Sequence, residues 1–226
     1  MKRLINTCKR VICMQKQVYY VKSCEEDFYT KTLRGKKKVN FQNIEEIIKS
    51  RTIKPNTKSF GRKMRLSTTI LDKNYLKTYR PQGIIFQTTN TPNHVSPCDL
   101  VLLTKADKII VQYYRIKKNL HAYYNHELID GFEKFIFKNF NSMIKELHSP
   151  KIVWTHINNF RKSAGYSRLP KEKYRLVEYN EAVFNKPVKI TPVAIFGYRK
   201  EARILAKKFN LPHFISAKEF WKRKSL

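Results

Sequence analysis

The feature that most constrains this chain is a change of period within residues 83–157. The segment opens with Gly83-Ile84-Ile85-Phe86-Gln87-Thr88-Thr89, a β-branched and aromatic run behind a Pro-Gln-Gly turn signal. Asp99-Leu100-Val101-Leu102-Leu103-Thr104 and Ile109-Ile110-Val111-Gln112-Tyr113-Tyr114-Arg115-Ile116 follow, separated only by Lys105-Ala106-Asp107-Lys108. That spacing predicts a β-hairpin with a polar four-residue loop. Then Leu128, Phe132, Phe135, Ile136, Phe140, Met143, Ile144 and Leu147 recur at intervals of three and four, the apolar stripe of a long amphipathic helix. Ser149-Pro150 reads as its stop, and Lys151-Ile152-Val153-Trp154-Thr155-His156-Ile157 as a further strand. A helix between strands must cross back over the sheet, which places the last strand parallel to a neighbour.

The flanks add shorter elements. Ile44 to Arg51 reads as a helix, with Asn43 as cap, Glu45 and Glu46 in the first turn, and Lys49 and Arg51 in the last. Near the C-terminus, Pro192-Val193-Ala194-Ile195-Phe196-Gly197 reads as a strand. Residues 201–209 follow as a helix with Ala202, Leu205, Ala206 and Phe209 on one face, then 211–215 as a strand and 217–224 as a helix. The expected fold is α/β, a mixed β-sheet with a long amphipathic helix and a C-terminal βαβ unit. Three parts are expected: a basic N-terminal region 1–82, an α/β core 83–157, and a basic C-terminal βαβ extension 158–226 packed on the same core.

Charge carries most of the functional signal. Lys and Arg number 47 against 17 Asp and Glu, a formal charge of +30. A chain so charged repels itself unless a polyanion is present, and nucleic acid is the commonest polyanion. The excess is uneven: +15 over residues 1–80, +3 over 81–157 and +12 over 158–226. The flanks are therefore the expected contact surfaces. Lys36, Lys37 and Lys38 follow Gly35, and Lys54, Lys58, Arg62, Lys63 and Arg65 occupy a loop-like stretch with Phe60 as its single aromatic. Contact with phosphates fits that stretch better than base stacking. Arg199, Lys200, Arg203 and Lys207 decorate the outer side of the tail helix and its approach, where Gly197 is placed to offer backbone N–H groups to a phosphate. Phe160-Arg161-Lys162 to Tyr166 and Lys171 to Arg175 interleave cations with aromatics. Exposed, they would suit a single strand; buried, they are ordinary core.

Other classes are disfavoured. No apolar run approaches the length of a membrane helix, so no membrane partner is expected. Cys8, Cys13, Cys24 and Cys98 lack metal-finger spacing and fit thiols in a reducing cytosol. With no apolar secretory segment behind Met1-Lys2-Arg3, a cytoplasmic location is expected. His126, Asp130 and Glu133 share a face of the expected long helix and read as its solvated polar side.

Three strands, a long helix and a fourth strand, with Pro97-Cys98-Asp99 opening the second strand, resemble the core of the PD-(D/E)XK, or restriction-endonuclease-like, nucleases. The resemblance implies cleavage of nucleic acid with Mg²⁺ or Mn²⁺. Asp99 matches the Asp that heads the second strand, and Glu45 or Glu46 matches a helix acid that completes the metal site. Where the family carries an acid and a Lys on the third strand, this chain has Gln112-Tyr113-Tyr114. Gln112 offers a carbonyl oxygen without charge, and Tyr114 is no cation. The expectation is a protein that binds DNA or RNA through phosphates, without catalysis and with no cofactor required for binding. The alternative is a divalent-metal nuclease with Asp99 and Gln112 as catalytic residues and Asp99 and Glu45 on the metal.

Overall fold

The computed structural model describes residues 17–23, 44–55, 66–105, 111–116, 119–124 and 128–224, with 111–116 and 119–124 as backbone pairing alone. In chain order, β1 (Tyr19–Ser23), α1 (Ile44–Ser50), β2 (Thr52–Ile53), β3 (Leu66–Leu71), β4 (Gly83–Gln87) and β5 (His94–Ser96) come first. Next are β6 (Val111–Ile116), β7 (Asn119–Tyr124), α2 (Phe140–Glu146), α3 (Pro150–Ser163) and β8 (Glu181–Phe184). The chain closes with β9 (Val188–Lys189), β10 (Thr191–Phe196), α4 (Lys200–Lys208), β11 (His213–Phe214) and α5 (Ala217–Lys224). Seven strands form one mixed sheet in the order β11-β10-β4-β1-β3-β8-β5. β10 and β11 are parallel, and the other neighbours are antiparallel. The fold is therefore α/β. No described helix is long and apolar enough to cross a membrane.

Strand alternation divides the sheet's side chains between two cores. Tyr20, Ile84, Phe86 and Ile195 enter the larger one, with α1, Met143 of α2, Val153 and Ile157 of α3, and Ala202, Leu205 and Ala206 of α4. Tyr19, Val21, Ile85, Ala194 and Phe196 enter the smaller one, with Ala217 and Phe220 of α5. Burial on both faces explains why Ile84-Ile85-Phe86 is a continuous apolar run rather than an alternating one. β4 begins at Gly83 because a Cβ there would meet the Lys22 carbonyl oxygen of β1.

Several expected elements fold otherwise. Residues 100–103 form a 3-10 turn rather than a strand, with the Asp99 carboxylate capping it by accepting the Val101 N–H at 3.0 Å. The hairpin forms one step later, between β6 and β7, in the register Val111↔Tyr124 to Ile116↔Asn119. Competition from the Asp99 cap explains the shift, since Asp offers the backbone a local turn.

The long helix over 128–147 is also broken. Phe132–Phe135 is a 3-10 turn, and Phe137 exchanges both backbone hydrogen bonds with Val95 of β5, each 2.8 Å. A new helix, α2, starts where Asn139 accepts the Ser142 N–H at 2.9 Å. The pairing covers the exposed edge of β5, which a continuous helix would leave bare. Asp130 and Glu133 are accordingly exposed outside any long helix, and His126 lies outside the described residues.

Ser149-Pro150 marks a start rather than a stop. Ser149 accepts the Ile152 N–H, and Pro150 takes the first helical position of α3, where its missing N–H and fixed φ cost nothing. Residues 151–157 are thus helical, and the 157/158 boundary falls inside α3. The sheet draws strands from all three expected parts of the chain.

Candidate nucleic-acid interface

Residues 191–224 apply one local design twice: a strand, a tight exit and a helix. β10 leaves the sheet through Gly197, whose φ of 148° is rarely open to other residues. The Gly197 N–H donates to the Phe214 carbonyl at 2.9 Å, so it is part of the sheet and does not serve as the expected phosphate donor. His213 Nε2 lies 2.9 Å from the Gly197 carbonyl. A carbonyl only accepts, so the ring carries its proton on Nε2.

α4 then buries Ala202, Leu205 and Ala206. The same spacing turns Lys200, Arg203, Ile204 and Lys207 to solvent. Asn210, at φ 51°, ends the helix. Leu211 N–H donates to Ala206 and Asn210 N–H to Lys207, the paired bonds of a left-handed C-cap. β11 returns parallel to β10. Ser216 accepts the Glu219 N–H at 3.2 Å while Glu219 Oε2 accepts the Ile215 N–H at 2.8 Å, a reciprocal cap that starts α5. The N-cap of α4, Arg199, supplies no side-chain cap hydrogen bond.

The two helices leave adjacent parallel strands toward opposite faces of the sheet, α4 to the larger core and α5 to the smaller. In open sheets ligands bind at such a divergence, beyond the carboxyl ends of the strands. Tyr198 and Ile215 sit there, 65% and 62% exposed. Lys218, Lys222 and Lys224 of α5 are exposed.

The N-terminal flank reaches the same edge. Glu45 of α1 pairs with Lys49 at 2.9 Å and with Lys208 of α4 at 2.8 Å. These two ammonium groups, Lys208 first, hold the Glu45 carboxyl below its ordinary range. β2 pairs with β9, which leads directly into β10, and Lys54 is exposed just past β2. Among the described residues Lys200, Arg203 and Lys207 form no salt bridge. Of the expected phosphate contacts, Lys54, Lys200, Arg203 and Lys207 are exposed and Arg199 is half-buried. Lys36, Lys37, Lys38, Lys58, Arg62, Lys63 and Arg65 lie outside the described residues.

The residues of the nuclease resemblance are not brought together. Asp99 heads no strand, and beyond its cap it accepts a long hydrogen bond, 3.3 Å, from the Tyr179 hydroxyl. Burial, then the negative charges of Asp99 and Glu181, push the Tyr179 phenol well above its ordinary range, so it stays a donor. Glu45 is held by α4 at the β10–β11 end of the sheet, whereas Asp99 lies beside β5 and β8 at the other. Gln112 belongs to the separate β6–β7 ribbon. No group of three or more His, Cys, Asp or Glu among the described residues is placed to hold a metal. The donor set implied for Mg²⁺ does not fit, because Asp99, Glu45 and Gln112 lie in separate parts of the fold.

Arg161 falls on the buried side of the alternative drawn for residues 160–166, and Asn180 is a further buried polar residue that the sequence does not flag. Arg161, 1% exposed, donates from Nη1 to Thr104 O at 2.7 Å and from Nε to Ser167 O at 3.0 Å. Asn180 accepts the Ile70 N–H at 2.9 Å and donates to the Ile70 carbonyl at 2.8 Å, extending the β3–β8 ladder with a side chain. Arg161 had a signal: it follows Val153, Ile157 and Phe160 on a helical period. Asn180 had none. No family model, curated protein or solved structure matches this chain.

Proposed function

We propose that the protein binds nucleic acid, DNA or RNA, through its phosphates and without cutting it. The observation that carries this reading is the meeting of the two basic flanks at the β10–β11 edge, where Lys200, Arg203 and Lys207 face solvent in one row along α4. Cations on one helix face that form no salt bridge among the described residues, with Glu201 as the one carboxylate of α4, suit a polyanion. Counterion release from the phosphates supplies the affinity. Asp99, engaged by the Val101 N–H and the Tyr179 hydroxyl, supports binding rather than cleavage.

Affinity for a labelled 20-nucleotide DNA or RNA, measured across salt concentrations, tests the reading. The logarithm of the binding constant is expected to fall steeply and linearly with the logarithm of salt. A flat dependence removes the proposal. Incubation with Mg²⁺ or Mn²⁺ beside an Asp99→Ala control tests the second part. Metal-dependent cleavage that disappears in the control would establish the nuclease alternative in place of simple binding.

A further inference from the structure

We infer that the ligand at the β10–β11 edge is single-stranded nucleic acid, with Tyr198 as a stacking platform for one unpaired base. The inference rests on the phosphate-binding reading above and adds the class of strand that the edge accepts.

Tyr198 sits immediately before the α4 cap, where an apolar residue ordinarily packs on the fourth helical residue and fixes the chain's entry. That fourth residue is Arg203, which offers no apolar surface of that kind. The ring is instead 65% exposed, with the Arg199 guanidinium 6.0 Å from its centroid. Tyr79, the other exposed tyrosine among the described residues, packs edge-on against Tyr179 at 5.7 Å and so belongs partly to the fold. Among the described rings Tyr198 is therefore the one the fold makes least use of.

Its neighbours decide what the ring suits. Ile215 is exposed at the adjacent strand end, next to Phe214, which pairs with Phe196. Lys200, Arg203 and Lys207 start beside the ring and run down α4 over roughly 10 Å at the helical rise. Such a row tracks a flexible phosphate backbone while a neighbouring aromatic stacks the base, the arrangement by which single strands are held without sequence choice. A duplex keeps its bases stacked on each other, so an isolated ring beside the row gains nothing from it. An apolar peptide would use Tyr198 and Ile215 but would be indifferent to the cations.

The test compares a mixed-sequence 20-nucleotide strand, as DNA and as RNA, with the same strand in a duplex. Each is titrated against the wild-type chain and against Tyr198→Ala, Tyr198→Phe and Tyr198→Leu. Tyr198→Ala is expected to weaken single-strand binding by about 10-fold to 100-fold, the range for loss of one stacked base. The salt slope and duplex affinity should stay unchanged. Tyr198→Phe should keep the affinity and Tyr198→Leu should not, because the π face rather than apolar area is required. A 2-aminopurine in the strand should be quenched on binding by wild type and Tyr198→Phe only. Salt-sensitive binding that is indifferent to Tyr198→Ala overturns the stacking inference and leaves phosphate binding standing. Absence of salt-sensitive binding to either strand form removes both. A thermal unfolding scan of each variant separates loss of stacking from loss of fold.

Discussion

The two ends of the seven-stranded sheet use polar residues in opposite ways. At the β5–β8 end they are turned inward and matched to backbone groups, Arg161 to Thr104 and Ser167, Asn180 to Ile70 and Asp99 to Val101, with the Tyr179 hydroxyl as a side-chain donor to Asp99. At the β10–β11 end they are turned outward: Lys200, Arg203 and Lys207 meet solvent, and an exposed tyrosine lies beside them. The first set holds segments that lack regular pairing. The second set adds nothing evident to the fold, and its charge opposes folding through self-repulsion. Net charge alone does not make this distinction, because Arg161 counts equally with Arg203. What distinguishes them is the partner each cation meets.

If the β5–β8 end is structural, its cations and amides should be costly to remove. Arg161→Ala is expected to lose about 3 kcal/mol or more, since the buried Leu102 and Thr104 carbonyls lose a charged donor, the Ser167 carbonyl loses a third bond, and the side chain leaves a void. Urea unfolding measures it. A loss below about 1 kcal/mol would mean that water replaces the guanidinium, and the contrast between the two ends would weaken. Asn180→Ala should cost about 2–3 kcal/mol, because Ile70 N–H and C=O are then buried without their partner. Asn180→Asp sharpens the point: it keeps the acceptor for the Ile70 N–H but loses the donor to the Ile70 carbonyl.

The opposite end should behave inversely. Replacing Lys200, Arg203 and Lys207 together with Ala should change stability by no more than about 0.5 kcal/mol per site, as exposed substitutions do. The same change should lower the slope of log affinity against log salt by about 2–3, roughly 0.7–0.9 for each phosphate that is no longer neutralised. An unchanged slope would move the interface away from α4.

Legibility from sequence followed the same division. The β10–β11 end was readable because its elements carry their own punctuation: Gly197 ends a strand and the apolar stripe of α4 stops at Phe209, while the Ser216–Glu219 cap that starts α5 emerges only in the structure. Expected and observed bounds of these elements differ by a residue or two, and α5 spans the expected residues 217–224. The other end was hard to read because tertiary contacts decide its structure. Leu100 to Leu103 is apolar enough for a strand, yet the Asp99 cap turns it into a 3-10 segment. Phe132 to Leu147 has helical spacing, yet pairing of Phe137 with Val95 interrupts it. Ser149-Pro150 was legible but ambiguous, since the same two residues follow one helix and open another, and the stripe Val153, Ile157, Phe160 favours the opening. As for the site, Lys200, Arg203 and Lys207 could be named from helical spacing alone. Their convergence with the N-terminal flank could not, because it depends on the β2–β9 pairing and the Glu45–Lys208 ion pair.

The smallest expected effect lies where structure and charge meet, at Glu45. Its carboxylate ties α1 to α4 while neutralising Lys49 and Lys208 beside the exposed row. Its carboxyl titrates lower in the folded chain than in the unfolded one. Its contribution to stability is therefore present above the unfolded value, about 4.3, and is lost as pH falls through the lower folded value. Glu45→Gln should be slightly less stable than wild type at neutral pH, and the gap should close on acidification below about pH 4 or in high salt, which screens exposed pairs. Nucleic-acid affinity should move the other way. Removing one negative charge raises the net positive charge at the edge by one, so the variant should bind slightly more tightly at low salt and equally at high salt. Thermal unfolding against pH and a titration at two salt concentrations read the two effects separately. Weaker binding by Glu45→Gln at low salt would show that the carboxylate orients α4 for its ligand, and the edge would then combine the structural and the surface uses of charge that its opposite end keeps apart.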